Sequence, residues 1–301
     1  MSTFFAVGDS GIFLKSSDSG ETWNSSVLPV VKKYAGVHFI DQNVGWVCGY
    51  NPLDLTNNSP VILKTINGGT SWTQQTTPII SGITRYHLYD IYFEDANIGY
   101  AVGVISIIGG LPGEYSAILK TIDGGTTWNY LPIGDLLGFG TYEYVFNKII
   151  KDTDGSLLLN GYLDMHFRSF IVRLTGTSFT LINNFTLLND VNGIYDASKT
   201  DTDKVKYALI GGNFGKSSDD GVTITESNVD LFSGAMTAIK FTADKTGHIA
   251  SDIGNMFRFN NSDTPTQQTH GGVYISSIAM INSDLGVSVG ANGTIRKYGI
   301  S

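Results

Sequence analysis

A single cysteine, Cys48, stands in 301 residues, so no internal disulfide can form and packing alone must hold the fold. It lies in the run Gly45-Trp46-Val47-Cys48-Gly49 and reads as a small buried hydrophobe on a strand rather than a reactive thiol. Charge is scarce as well, at 15% of residues, and Lys plus Arg minus Asp plus Glu gives 19 − 27 = −8. That balance argues against a surface that tracks phosphates, and so against nucleic acid as a partner. No apolar stretch approaches the length of a membrane span, so no span is expected. No basic segment followed by an apolar core opens the chain. The expected location is therefore cytoplasmic, virion-associated, or secreted with the signal removed. The five histidines, His38, His87, His166, His248 and His270, show no ligand spacing, and CxxC and HxxxH patterns are missing. Neither a metal nor a cofactor is expected. Asp152-Thr153-Asp154-Gly155 lacks the closing Glu of a calcium loop and reads as an Asp-Gly hairpin turn.

What the chain has in quantity is glycine, 36 residues, and tyrosine, 15, within a 42% apolar composition. This is the profile of a turn-rich β protein. One short phrase recurs four times: Ser16–Trp23, Thr65–Trp72, Thr121–Trp128 and Ser217–Ile224. Its pattern is [Ser/Thr]-x-[Asp/Asn]-x-Gly-x-[Thr/Ser]-[Trp/Ile], and the first three copies each follow an apolar strand-like run. Each therefore reads as a hairpin turn. The Asp or Asn accepts backbone N–H groups, the Gly takes positive φ, and the Trp packs on a neighbouring sheet. Asp18, Gly20 and Trp23; Asn67, Gly69 and Trp72; Asp123, Gly125 and Trp128; and Asp219 and Gly221 are accordingly expected to be structural. Around these phrases a longer unit of four short strands repeats, with Trp23 to Trp72 spanning 49 residues and Trp72 to Trp128 spanning 56. That is the length of a propeller blade. Five complete units flanked by two incomplete ones predict an all-β, single-domain propeller over 1–301, with seven blades, or six as the alternative. The first unit lacks an opening strand and the last a closing one. Such ends leave room for an oligomer or for pairing with a partner strand.

The phrase resembles the Asp-box, or BNR repeat. The whole unit, Gly-[Trp/Tyr]-[Val/Ala]-[Cys/Val]-Gly before Ile-Leu-Lys-Thr-Ile-[Asn/Asp]-Gly-Gly-Thr-[Ser/Thr]-Trp, is most similar to propellers of the photosystem II stability/assembly-factor type, a repeat also carried by bacterial and phage proteins. The match is specific at 39–75 and 92–130 and weak beyond about residue 141. The resemblance implies that the turns lie at the blade rim, on the face opposite the ligand site.

Sialidase-like glycoside hydrolases share the Asp-box, but their chemistry needs three convergent arginines, a Tyr nucleophile paired with Glu, and an acidic proton donor. Only Arg85, Arg168, Arg173, Arg258 and Arg296 are present. No catalytic residue is assigned, and a glycosidase is kept as the alternative. Loop lengths carry the preferred reading. The long insertions 50–60, 104–116 and 162–169 follow second strands, so they project together from the face opposite the Asp-boxes. Asp54, Arg85, Glu114, Tyr115, His166 and Arg168 are the binding candidates on that face, Arg85 being expected with Tyr86 and His87 in a fourth-to-first connection that leaves the same face. The expected function is a non-enzymatic scaffold that recognises a protein, or less favourably a glycan, in an assembly-factor-like or a virion or cell-surface structural role.

Overall fold

The computed structural model describes residues 2–30, 32–51, 60–79, 83–107, 116–134, 144–163, 168–184, 193–196, 205–210, 213–227, 236–242, 246–260, 266–268 and 272–299. Its strands form seven antiparallel sheets, each built from consecutive segments in simple up-and-down order. Sheet one holds Phe4–Val7, Ile12–Ser16 and Asn24–Val27. Sheet two holds Lys33–Phe39, Gly45–Tyr50, Val61–Thr65 and Thr73–Gln74, and sheet three Ile83–Phe93, Gly99–Ile107, Ser116–Thr121 and Asn129–Tyr130. Sheet four runs Tyr144–Lys151, Leu157–Leu163, Arg168–Thr175 and Ser178–Asn184, and sheet five Gly193–Asp196, Lys206–Ile210, Asn213–Ser217 and Thr225–Ser227. Sheet six runs Met236–Phe241, Thr246–Ser251, Met256–Asn260 and Thr266–Gln268. Sheet seven closes with Ile275–Met280, Leu285–Gly290 and Ile295–Gly299. This is a single-domain all-β propeller whose complete blades have four strands, with three strands in the first and last sheets. No helix among the described residues is long and apolar enough to cross a membrane.

The four phrases build one turn. In the first, Gly20 N–H donates to Ser16 Oγ at 2.9 Å, Ser16 Oγ–H donates to Asp18 at 2.8 Å, and the Thr22 amide and hydroxyl both donate to Asp18. Thr65, Asn67, Gly69 and Ser71 repeat the pattern, as do Thr121, Asp123, Gly125 and Thr127, and Ser217, Asp219, Gly221 and Thr223. Gly20, Gly69, Gly125 and Gly221 lie at φ between +86° and +95°, where a side chain would be strained. Trp23 and Trp72 donate their indole N–H back to the carbonyls of Gly20 and Gly69.

Hydrogen bonds from the following threonines, joined by Ser16, Thr121 or Ser217, hold the Asp18, Asp123 and Asp219 carboxyls at about 2, below their ordinary 3.8. A depressed carboxyl stabilises the fold fully above its unfolded value and loses that contribution as pH falls through the folded value. Thermal stability should therefore decline between pH ~4 and ~2. The triple change Asp18→Asn, Asp123→Asn and Asp219→Asn, matching the amide already present at Asn67, should flatten that slope in calorimetric scans. An unchanged slope would show that other groups govern acid unfolding.

Sheets grip one another by a repeated device. Cations on third strands, and on the middle strand of the three-stranded first sheet, reach across to turns of the next sheet, always on the face that carries the phrases. Lys15, Lys64 and Lys120 donate to the carbonyls of Gly68, Gly124 and Gly176 at 3.0, 2.9 and 3.2 Å. On the way each ammonium passes over an aromatic ring of its own sheet, Phe5, Trp46 or Tyr100. Arg173 pairs with Asp220 at 2.8 Å and Arg258 with Asp284 at 2.7 Å. Lys297 of the last sheet pairs with Glu21 in the first phrase. Beneath these contacts aromatic rings stack between sheets: Phe5 on Phe39 and Trp46 on Phe93, both with centroids 3.5 Å apart. Trp72 and Trp128 meet Phe13 and Phe93 edge-on. Ring closure thus rests on side-chain packing and one ion pair, since among the described residues no strand of sheet one pairs with sheet seven.

Candidate functional site

The face opposite the phrases carries an aromatic cluster where sheets two and three meet. Tyr50 ends the second strand of sheet two, and the first strand of sheet three supplies Arg85, His87 and Tyr89. Residues at i, i+2 and i+4 share one side of a strand, while the intervening Tyr86 and Leu88, 1% and 0% exposed, turn into the core. Tyr50 stacks on His87 with ring centroids 3.9 Å apart and meets Tyr89 edge-on at 5.6 Å. Arg85 Nη2 donates to Tyr89 Oη at 3.2 Å, and that hydroxyl lies 3.4 Å from His87 Nδ1. Burial first, and the Arg85 charge second, hold the His87 pKa at about 4, so the imidazole is neutral near pH 7. Burial likewise raises the Tyr50 phenol, assisted by Asp9, which pairs with Lys33 at 3.6 Å.

The strand Ile83–Phe93 is eleven residues long against seven for Lys33–Phe39. Arg85, Tyr86 and His87 were expected in a fourth-to-first connection; they are instead part of this strand, which pairs with Gly99–Ile107 as far as Ile107. The cluster is therefore held by a ladder, a firmer support than a loop. Of the other binding candidates, Asp54, Glu114, Tyr115 and His166 lie outside the described residues. Arg168 opens the third strand of sheet four, opposite Leu163. Tyr89 was not singled out from the sequence, because in Leu88–Phe93 it reads as one more alternating strand residue.

The acidic and basic groups elsewhere have structural engagements. Asp152 and Asp154 both pair with Arg173, which ties their turn to the phrase of sheet five. Arg173 and Arg258 are thus held on the face that carries the phrases, leaving three arginines for any convergent trio. No group of three or more metal-binding side chains occurs among the described residues. Cys48 is fully buried, and burial drives its thiol well above the ordinary value. His38 is neutralised by burial and packs edge-on against Tyr92 of the next sheet at 4.9 Å.

Known proteins share this architecture, although no family model matches the chain and no curated protein matches it. Solved structures do. A structure of YCF48 bound to D1 peptide superposes with a TM-score of 0.72 at 17% identity, covering 99% of this chain and 89% of that one. YCF48 from Cyanidioschyzon merolae gives 0.71 at 19% identity, covering 98% and 91%. A streptogramin B lyase gives 0.66 at 14% identity, covering 97% and 87%. The likeness is one of fold. A peptide binder and a lyase share it, so function must be argued from the cluster itself.

Proposed function

We propose that this propeller is a non-enzymatic scaffold that captures an extended segment of a partner protein on the face carrying Tyr50, Arg85, His87 and Tyr89. The observation that carries this reading is the rigid shelf of stacked rings edged by a guanidinium. Large, amphipathic rings with few rotatable bonds make contact area at low entropic cost, and an arginine beside them supplies directional donors for a carbonyl or carboxylate. The neutral His87 adds a polar edge without a second charge. A propeller of the same fold that has been seen with a peptide, YCF48 with D1 peptide, supports the class of ligand. An Asp-box family of the photosystem II assembly-factor type, and an assembly or virion or cell-surface structural role, fit the same reading. Asp54, Glu114, Tyr115, His166 and Arg168, the other candidates from the sequence, are proposed to contribute to the same recognition. The sialidase-like alternative is disfavoured because two of its five possible arginines are engaged on the opposite face.

The test begins with selection of linear peptides from a random display library against the intact chain. Selected peptides should bind Arg85→Ala and Tyr89→Ala at least ~10-fold more weakly, the ~1.4 kcal/mol expected for loss of a central anchor. Affinity that is unchanged in the folded double variant would reject this surface.

A further inference from the structure

The phrase of sheet one joins Ile12–Ser16 to Asn24–Val27, just as that of sheet two joins Val61–Thr65 to Thr73–Gln74. Those two strands are therefore the third and fourth of a blade, and Phe4–Val7 is the second. The innermost place, filled in the other six sheets, holds no strand among the described residues. The edge left there is open. Gly8 N–H donates to Ile12 O, and bonded pairs alternate along an antiparallel ladder, so Ala6 and Phe4 also bond to Ile12–Ser16. Phe5 and Val7 then point their N–H and C=O groups away from it. No backbone hydrogen bond reaches them there from another described residue.

Burial agrees. Residues 45–49, 157–161 and Thr246–Ser251, on second strands, are buried without a break, whereas Phe5 and Val7 are half-buried. Apolar clusters join sheet one to two, two to three, three to four, four to five and six to seven. None among the described residues joins sheet seven to sheet one. Ile278 turns into the cluster shared with sheet six, so its neighbours Ser277 and Ala279 face sheet one, and both are exposed. The innermost strands of sheets two, three and seven show what belongs in such a place. Each turns bulky apolar residues toward the preceding sheet: Phe39 meets Phe13, Phe93 stacks on Trp46, and Ile278 packs with Ala238 and Met256.

We propose that the inner edge of Phe4–Val7 takes an added strand, supplied by an extended segment of a partner protein. The segment runs antiparallel to Phe4–Val7, as innermost strands do in the other sheets, and turns bulky apolar side chains at alternate positions over Ser277 and Ala279. The ladder to Phe5 and Val7 supplies affinity, and the space above the two small residues supplies selectivity. The aromatic cluster lies at the junction of sheets two and three, so the two sites can fail separately.

Fluorescence anisotropy of the intact chain with fluorescein-Lys-Tyr-Thr-Phe-Thr-Ile-Lys-amide tests it. Saturable one-to-one binding is expected, and saturating peptide should raise the unfolding temperature, because only the folded disc offers the edge. Two N-methylated versions, one at Tyr, Phe and Ile and the other at both threonines, should differ at least ~10-fold, since only one set of N–H groups faces the ladder. Val7→Pro removes an N–H that bonds nothing within the disc. Proline is tolerated at a sheet edge, so this variant should fold and bind at least ~10-fold more weakly. Absence of saturable binding, equal weakening by both N-methyl patterns, or full affinity in folded Val7→Pro overturns the proposal. So does a dimer in sedimentation that the peptide disperses, which would put a second copy on the edge. Library peptides that Tyr89→Ala weakens, measured on Val7→Pro, report separately on the aromatic cluster.

Discussion

Trp46→Ala should lower the unfolding free energy by roughly 3–5 kcal/mol, the range for deleting a large buried aromatic. Trp46 is 0% exposed and stacks on Phe93, and its indole N–H donates to Gly124 O at 3.1 Å across the junction of sheets two and three. Lys64 covers its other side and donates to the same carbonyl. Truncation therefore opens a cavity between sheets and also strips the Lys64 contact of its platform. Against a typical total of ~5–15 kcal/mol, such a loss is a large share of the stability. Trp46→Phe retains a ring over Phe93 and gives up the indole hydrogen bond, so ~1–2 kcal/mol is expected from that change. Urea titrations of the two variants check the ranking. A Trp46→Ala protein within ~1 kcal/mol of the parent would mean the junction is not held by this plate.

Gly103→Ala should be nearly as damaging and should reach the candidate site as well. A Cβ at Gly103 would be driven into the His87 carbonyl oxygen and would come within 2.9 Å of Leu88 Cα, which is backbone and cannot rotate away. Relief requires the strand Ile83–Phe93 to move off its partner. Overpacking of this kind costs about 1–3 kcal/mol, more where backbone must shift. His87 is the ring on which Tyr50 stacks, so the same displacement dismantles the cluster. Folded Gly103→Ala protein should therefore also bind selected peptides at least ~10-fold more weakly. Full affinity in a folded variant would show that the cluster does not depend on this close approach.

The propeller was legible because its turns demand particular residues. Gly20, Gly69, Gly125 and Gly221 sit at positive φ, and Asp18, Asn67, Asp123 and Asp219 gather the amides around them, so the chemistry of each phrase shows in its letters. Strand alternation then supplied the rest of each unit. The devices between sheets were hidden. Lys15, Lys64 and Lys120 look like ordinary polar residues of half-buried strands, and nothing local reveals that each reaches the next turn. The candidate site was legible in part. Arg85 and His87 stood out beside an expected loop, but the length of Ile83–Phe93 depends on its pairing with Gly99–Ile107, which is a tertiary fact. The first strands of sheets two, three, four, six and seven each slip by one residue against their second strands, and this left no mark in composition, since the extra residues Ala35, Tyr89, Asn147, Thr237 and Ser276 have no chemistry in common.

Closure without a shared strand has a mechanical consequence. Among the described residues the joint between the terminal sheets includes Gly20 seated against Val287 and the Lys297–Glu21 pair, a partly exposed contact weakened by salt. A molecule stretched between its two ends loads that joint first, and among the described residues no backbone ladder resists the parting. The disc should open there at low force and present a free rim on either side, while each four-stranded sheet keeps its internal hydrogen bonds until far higher tension.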